Sequence, residues 1–221
     1  MAIAIKSDLE IKQDIIDELD WDPAVDATEL GVAVDDGVVI LSGWVDSYVT
    51  KLAAEAAAQR IDGVRAVANE ITVKARGAHT DADIAKMVAN VLEANTAVPR
   101  ERVEVTVKDS EVTLSGEVNT AFQRTAAADS IRYLPGVRDV INLVTILRPS
   151  ATVTDVKTGI ERALVRSAEV DAHRIQVHTE DGHIRLTGTV RSWPEKQEAG
   201  LAAWRARGVS HVINEIHVQP W

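Results

Sequence analysis

The 221-residue chain carries 34 acidic and 24 basic residues, for a net charge of −10, and is 46% hydrophobic. That balance fits a soluble globular fold and argues against general electrostatic binding of DNA or RNA. The absence of cysteine excludes disulfides, thiolate metal sites and cysteine nucleophiles, and no apolar run is long enough for a transmembrane segment.

At the N-terminus, residues 1–5 (MAIAI) meet Lys6 and Asp8 before a secretory apolar region can form. The expected location is cytoplasmic, or periplasmic if a signal peptide has been removed. One pattern then recurs three times. Leu41-Ser42-Gly43, Leu114-Ser115-Gly116 and Leu186-Thr187-Gly188 recur at offsets of 73 and 72 residues. The same offsets relate Gly63, Gly136 and Gly208, and also Asn69, Asn142 and Asn214. Three landmarks in one register predict three units, at residues 1–76, 77–149 and 150–221.

Each unit opens with a capped amphipathic helix. Ser7, Thr80 and Thr152 stand three residues before Glu10, Asp83 and Asp155, a capping box in the first unit and an acidic look-alike in the other two. Behind them, Ile11-Ile15-Leu19, Ile84-Val88-Leu92 and Val156-Ile160-Leu164 place one apolar stripe on each helix. A loop carrying Val25, Val98 and Val170 leads to two alternating runs joined by Asp35-Asp36-Gly37, Lys108-Asp109-Ser110 and Glu180-Asp181-Gly182, which read as hairpins. Gly43, Gly116 and Gly188 are read as bare positions that let a helix approach the sheet.

A second, alanine-rich helix begins at Ser47, Thr120 and Ser192, and Gly63, Gly136 and Gly208 are expected to cap its end. A last strand runs through Val67-Asn69-Ile71-Val73 and its counterparts. The short linkers, 75–79 and 147–151, favour close neighbours. The predicted class is α+β: three tandem αββαβ domains, each a three-stranded sheet with two helices on one face. The charge is uneven, with 15 acids against 5 bases in residues 7–74, 10 against 8 in 80–148, and 9 against 9 in 152–221.

This order, with L-S/T-G-x-V before the second helix, G-V after it and an Asn in the last strand, resembles the BON domain, a family named for bacterial osmotically inducible and nodulation proteins. The resemblance covers nearly the whole chain. It implies a stress-associated binding module linked to the bacterial envelope, with phospholipid as the proposed ligand and no catalytic activity.

Among candidate contact residues, Lys51, Arg124 and Lys196 recur in the first turns of the second helix. A cation there opposes the helix dipole. It serves either an anionic headgroup or acidic partner, or lies solvated with its stem over the sheet. Tyr48, Phe122 and Trp193 sit beside these cations and either meet a membrane surface or staple the helix start onto the core. The open sheet face of the first unit, with Ala33, Ile40, Trp44, Ala66 and Ala68, is expected to pack on another unit or on a second protomer. No catalytic motif, cofactor fingerprint or metal-ligand spacing is found; five of the six histidines fall in the third unit without a zinc pattern. Two functions are carried forward: peripheral binding of anionic phospholipid through the second helices, and a protein-interaction or chaperone-like scaffold using the face around Trp44.

Overall fold

The structure, a computed structural model, describes residues 6–74, 77, 79–147, 153–167, 170–180, 182–206 and 208–219, without the side chains of 153–155. The expected cap at Thr152 with the Asp155 side chain, the turn residue Asp181 and parts of both linkers lie outside the described residues.

Unit 1 comprises α1 (Asp8–Trp21), β1 (Leu30–Asp35), β2 (Val38–Val45), α2 (Tyr48–Arg60), β3 (Ala66–Asn69) and β4 (Thr72–Val73). Unit 2 repeats this as α3 (Asp81–Ala94), β5 (Val103–Lys108), β6 (Glu111–Val118), α4 (Ala121–Ile131), β7 (Asp139–Asn142) and β8 (Thr145–Ile146). Unit 3 has α5 (Val153–Arg166), β9 (Ile175–Glu180), β10 (His183–Val190), α6 (Trp193–Trp204) and β11 (His211–Val218). In each unit the middle strand pairs antiparallel with its hairpin partner and parallel with the last strand. The second helix makes the crossover that a parallel pair requires. Both helices cover one sheet face, burying Ile11, Ile15 and Leu19 with Val39, Leu41 and Val45 in unit 1; each such side chain contributes about 1.5–3 kcal/mol.

Local chemistry sets the elements. Ser7 and Thr80 form full capping boxes with Glu10 and Asp83, and Ser47, Thr120 and Ser192 cap the second helices. The hairpin turns place Asp36 and Gly37 at φ 47° and 71°, and Asp109 and Ser110 at 52° and 65°. The carboxylates of Asp8 and Asp81 clamp these turns, each accepting two backbone N–H bonds at 2.9 Å. Unit 2 thus keeps the same turn without the glycine, by forcing Ser110 into left-handed space.

Three expectations are corrected. Gly43, Gly116 and Gly188 have φ between 103° and 125°, and a Cβ there would lie 2.0 Å from the carbonyl oxygen of Glu29, Arg102 or Arg174. Glycine is needed for the chain entering the first strand, not for a helix. Gly63, Gly136 and Gly208 are not helix caps: α2, α4 and α6 are capped by Ile61, Arg132 and Arg205, and these glycines turn the chain at φ 97°, 87° and 93°. The last strand is broken in units 1 and 2 and continuous in unit 3, although in all three the side-chain oxygens of Asn69, Asn142 and Asn214 take the N–H groups of Ile71, Val144 and Ile216, at 3.2, 3.2 and 3.3 Å.

The three units meet head to neighbour. Tyr48, the first residue of α2, packs on the core of unit 2. Its counterpart Trp193, at the start of α6, packs on the cores of units 1 and 3. Unit 2 has the small Ala121 at this position, and Trp204 of unit 3 packs on the unit 2 core. Polar contacts follow the same circuit: Arg138 Nε donates to the Val73 carbonyl at 3.0 Å, and Gln197 donates to Gln59 at 2.8 Å. Each unit therefore touches both others. Among the described residues no helix is long and apolar enough to cross a membrane.

Candidate functional site

The recurring asparagine and the recurring cation belong to one device. Lys51, Arg124 and Lys196 are each the fourth residue of their helix, and the side-chain amides of Asn69, Asn142 and Asn214 donate to their carbonyls at 3.4, 3.0 and 2.9 Å. The amide's other end holds the last strand, so each asparagine pins that strand to the turn bearing the cation. Only a side chain with both a donor and an acceptor at one carbon does this. The motif was visible in the sequence; its partner was not.

The three cations occupy different surroundings. The Lys196 ammonium lies 5.0 Å from the ring centre of Trp193, and burial holds its pKa below the usual lysine value. Arg124 reaches across to unit 3, its guanidinium 5.5 Å from the centre of the Trp204 ring. One of its terminal nitrogens donates to the Asn142 carbonyl at 3.4 Å, while its Nε is buried without a hydrogen-bond partner. Lys51 is half-buried in the first turns of α2. No common cationic row is formed.

The aromatics divide likewise. Tyr48 staples onto the core of unit 2, and Trp193 onto the cores of both unit 1 and its own unit 3; burial first, and the Asp139 carboxylate of unit 2 second, push the Tyr48 phenol above the usual range. Trp193 is half-buried between these two cores. Phe122, one residue past the register position held by Ala121, is 70% exposed.

The open face of unit 1 is apolar, with Ile40 38% exposed and Trp44 half-buried under the Lys74 ammonium, 4.5 Å from its ring centre. The expectation that this face packs on another unit is corrected: the units meet through helix starts, helix ends and strand ends. In unit 3, His178 and His217 lie on β9 and β11, on opposite sides of β10. Among the described residues no group of three or more His, Asp or Glu side chains could hold a metal ion.

Two features of unit 2 stand out against its sisters. Leu143 and Leu147, along the edge formed by β7 and β8, are 60% and 40% exposed. Their counterparts are Glu70 and Lys74 in unit 1, and Glu215 and Gln219 in unit 3. Beside them, a cleft of about 590 Å³ opens between units 2 and 3, lined by Arg124, Leu143, Thr145, His183, Trp204 and His211 among others, with no carboxylate. Unit 2 thus combines exposed apolar side chains with a cation whose donors are incompletely used.

The BON domain family model matches residues 7–75, 80–148 and 152–220. Osmotically-inducible protein Y of Escherichia coli (strain K12) is 29% identical over 124 residues, which are 53% of this chain and 62% of that protein. Two structures of CdsD, a structural protein of the Type III secretion system of Chlamydia trachomatis, align at 16% identity with a TM-score of 0.28. They cover 97% and 95% of this chain, and 100% and 92% of their own; nothing follows from an overlap at that score. The three family matches coincide with the three αββαβ units just described, and the chain belongs to the BON domain family as three tandem copies.

Proposed function

We propose that this protein is a non-enzymatic, stress-associated binding protein that attaches peripherally to anionic phospholipid surfaces through unit 2. The observation that carries this reading is the trio Phe122, Leu143 and Leu147, exposed on unit 2 where the sister units carry mostly polar residues, with Leu143 beside Arg124 on the cleft lining. Apolar side chains reaching the acyl boundary with a cation at headgroup level make a shallow interfacial contact. A basic residue near an anionic surface contributes about 1 kcal/mol. The family membership and the inducible relative support the stress role.

Of the residues first considered, Arg124 remains central. Trp193, with Lys196 over its ring, serves the junction between units 3 and 1, and unit 1, with most of the excess negative charge, turns away from the surface. Co-sedimentation with phosphatidylglycerol-containing vesicles, against neutral phosphatidylcholine, tests the reading. Binding to the anionic vesicles that weakens with salt and is lost in Leu143→Glu supports it; equal binding to neutral vesicles contradicts it.

A second reading rests on the open apolar face of unit 1, where Ile40 and Val38 are exposed beside Ala33 and Ala68. There the face binds a protein partner or a second copy. Ile40→Lys removes that interaction while leaving vesicle binding intact.

A further inference from the structure

We infer that the cleft between units 2 and 3 is a binding site for a phosphate-type anion, centred on the Arg124 guanidinium. The inference deepens the lipid reading and rests on it for the source of the anion.

The contrast between the chain's own junctions carries it. Between units 1 and 2, Tyr48 fills the junction, the Asp139 carboxylate lies beside its hydroxyl, and Arg138 Nε is spent on the Val73 carbonyl. At the same three places between units 2 and 3 stand Ala121, His211 and Ser210. The phenol is replaced by the methyl of Ala121. The carboxylate is gone, so no acid among the lining residues neutralises the cation. A buried donor without a partner, such as Arg124 Nε, is costly unless a ligand supplies the acceptor.

The Trp204 ring lies beside the cation, its centre 5.5 Å from the guanidinium carbon. A guanidinium carries a fork of N–H donors that matches two oxygens of one phosphate. On the unit 3 side of the lining, the His211 imidazole offers a further donor to an anion. The cleft, at about 590 Å³, exceeds what inorganic phosphate fills, and Leu143 on its lining carries apolar surface outward. That shape suits a phosphodiester headgroup entering from the exposed apolar edge. A free phosphate offers the same chemistry.

The test transplants the closed junction into the open one in the full chain. Isothermal titration with inorganic phosphate and vesicle co-sedimentation are run on the wild type, His211→Asp, Ala121→Tyr, Arg124→Gln and Leu143→Glu, with circular dichroism and melting confirming the fold of each. The expected result is phosphate binding by the wild type that weakens at least tenfold in His211→Asp, Ala121→Tyr and Arg124→Gln, with a parallel loss of anionic vesicle binding. No binding of phosphate to the wild type, or unchanged affinity in the folded variants, overturns the site. If His211→Asp keeps vesicle binding while Leu143→Glu abolishes it, the cleft proposal fails and the lipid reading stands. If phosphate binds through Arg124 but anionic vesicles do not, the site stands with a free anion as its ligand and the lipid reading falls.

Discussion

At the scale of single residues, backbone geometry explains more than side-chain chemistry does. Gly116 stands at φ 114°, where a Cβ would be driven into the Arg102 carbonyl. Gly116→Ala should cost about 3 kcal/mol or more, from left-handed strain plus a clash with immovable backbone; urea titration measures it. Ser110 is the opposite case. It is held at φ 65° in a turn whose sister units use glycine, so Ser110→Gly should raise stability by about 1 kcal/mol and increase Tm. The sequence marked both places, because glycine recurred at one and was missing from the other. It did not reveal why: the carbonyl that excludes a side chain at Gly116 belongs to Arg102, 14 residues earlier, and only pairing of β5 with β6 brings the two together.

At the scale of elements, the first helices were the most legible, since stripe and cap are both local patterns. Their caps also set an acid response. Hydrogen bonds from the Ser7 backbone and hydroxyl hold Glu10 below the usual carboxylate range, and those from Thr80 do the same for Asp83. A carboxylate depressed in the folded state stabilises above its unfolded pKa, about 4, and that contribution disappears as pH falls through the lower folded value. Amide hydrogen exchange should therefore show α1 and α3 losing protection as pH falls below about 4, in step with titration of these two acids. Retained protection at both helix starts after protonation contradicts the linkage. The last strands were less legible: they read as single alternating runs, yet in units 1 and 2 they divide after Asn69 and Asn142, while β11 of unit 3 runs through Asn214 unbroken.

At the scale of the whole molecule, the repeat was plain in the sequence but the junctions were not. Trp193 packs on a core more than 100 residues away in the chain, and no periodicity reports a partner at that range. The signal lay in the differences between copies, where Tyr48, Ala121 and Trp193 share one register position and only two of them fill a junction. Trp193→Ala should cost about 3 kcal/mol and separate the melting of unit 3 from that of unit 1 in calorimetry; a single unshifted transition would show that the units melt independently of this contact. The same differences orient the molecule. Unit 1 holds the negative charge, unit 3 lends Trp204 and two histidines to the cleft, and unit 2 exposes the apolar edge. Paramagnetic broadening by spin-labelled lipid in phosphatidylglycerol bicelles tests this orientation most directly. The account predicts broadening of the Leu143 and Leu147 methyl and Phe122 ring signals with those of Val38 and Ile40 left sharp; broadening centred on unit 1, or none in unit 2, would contradict it.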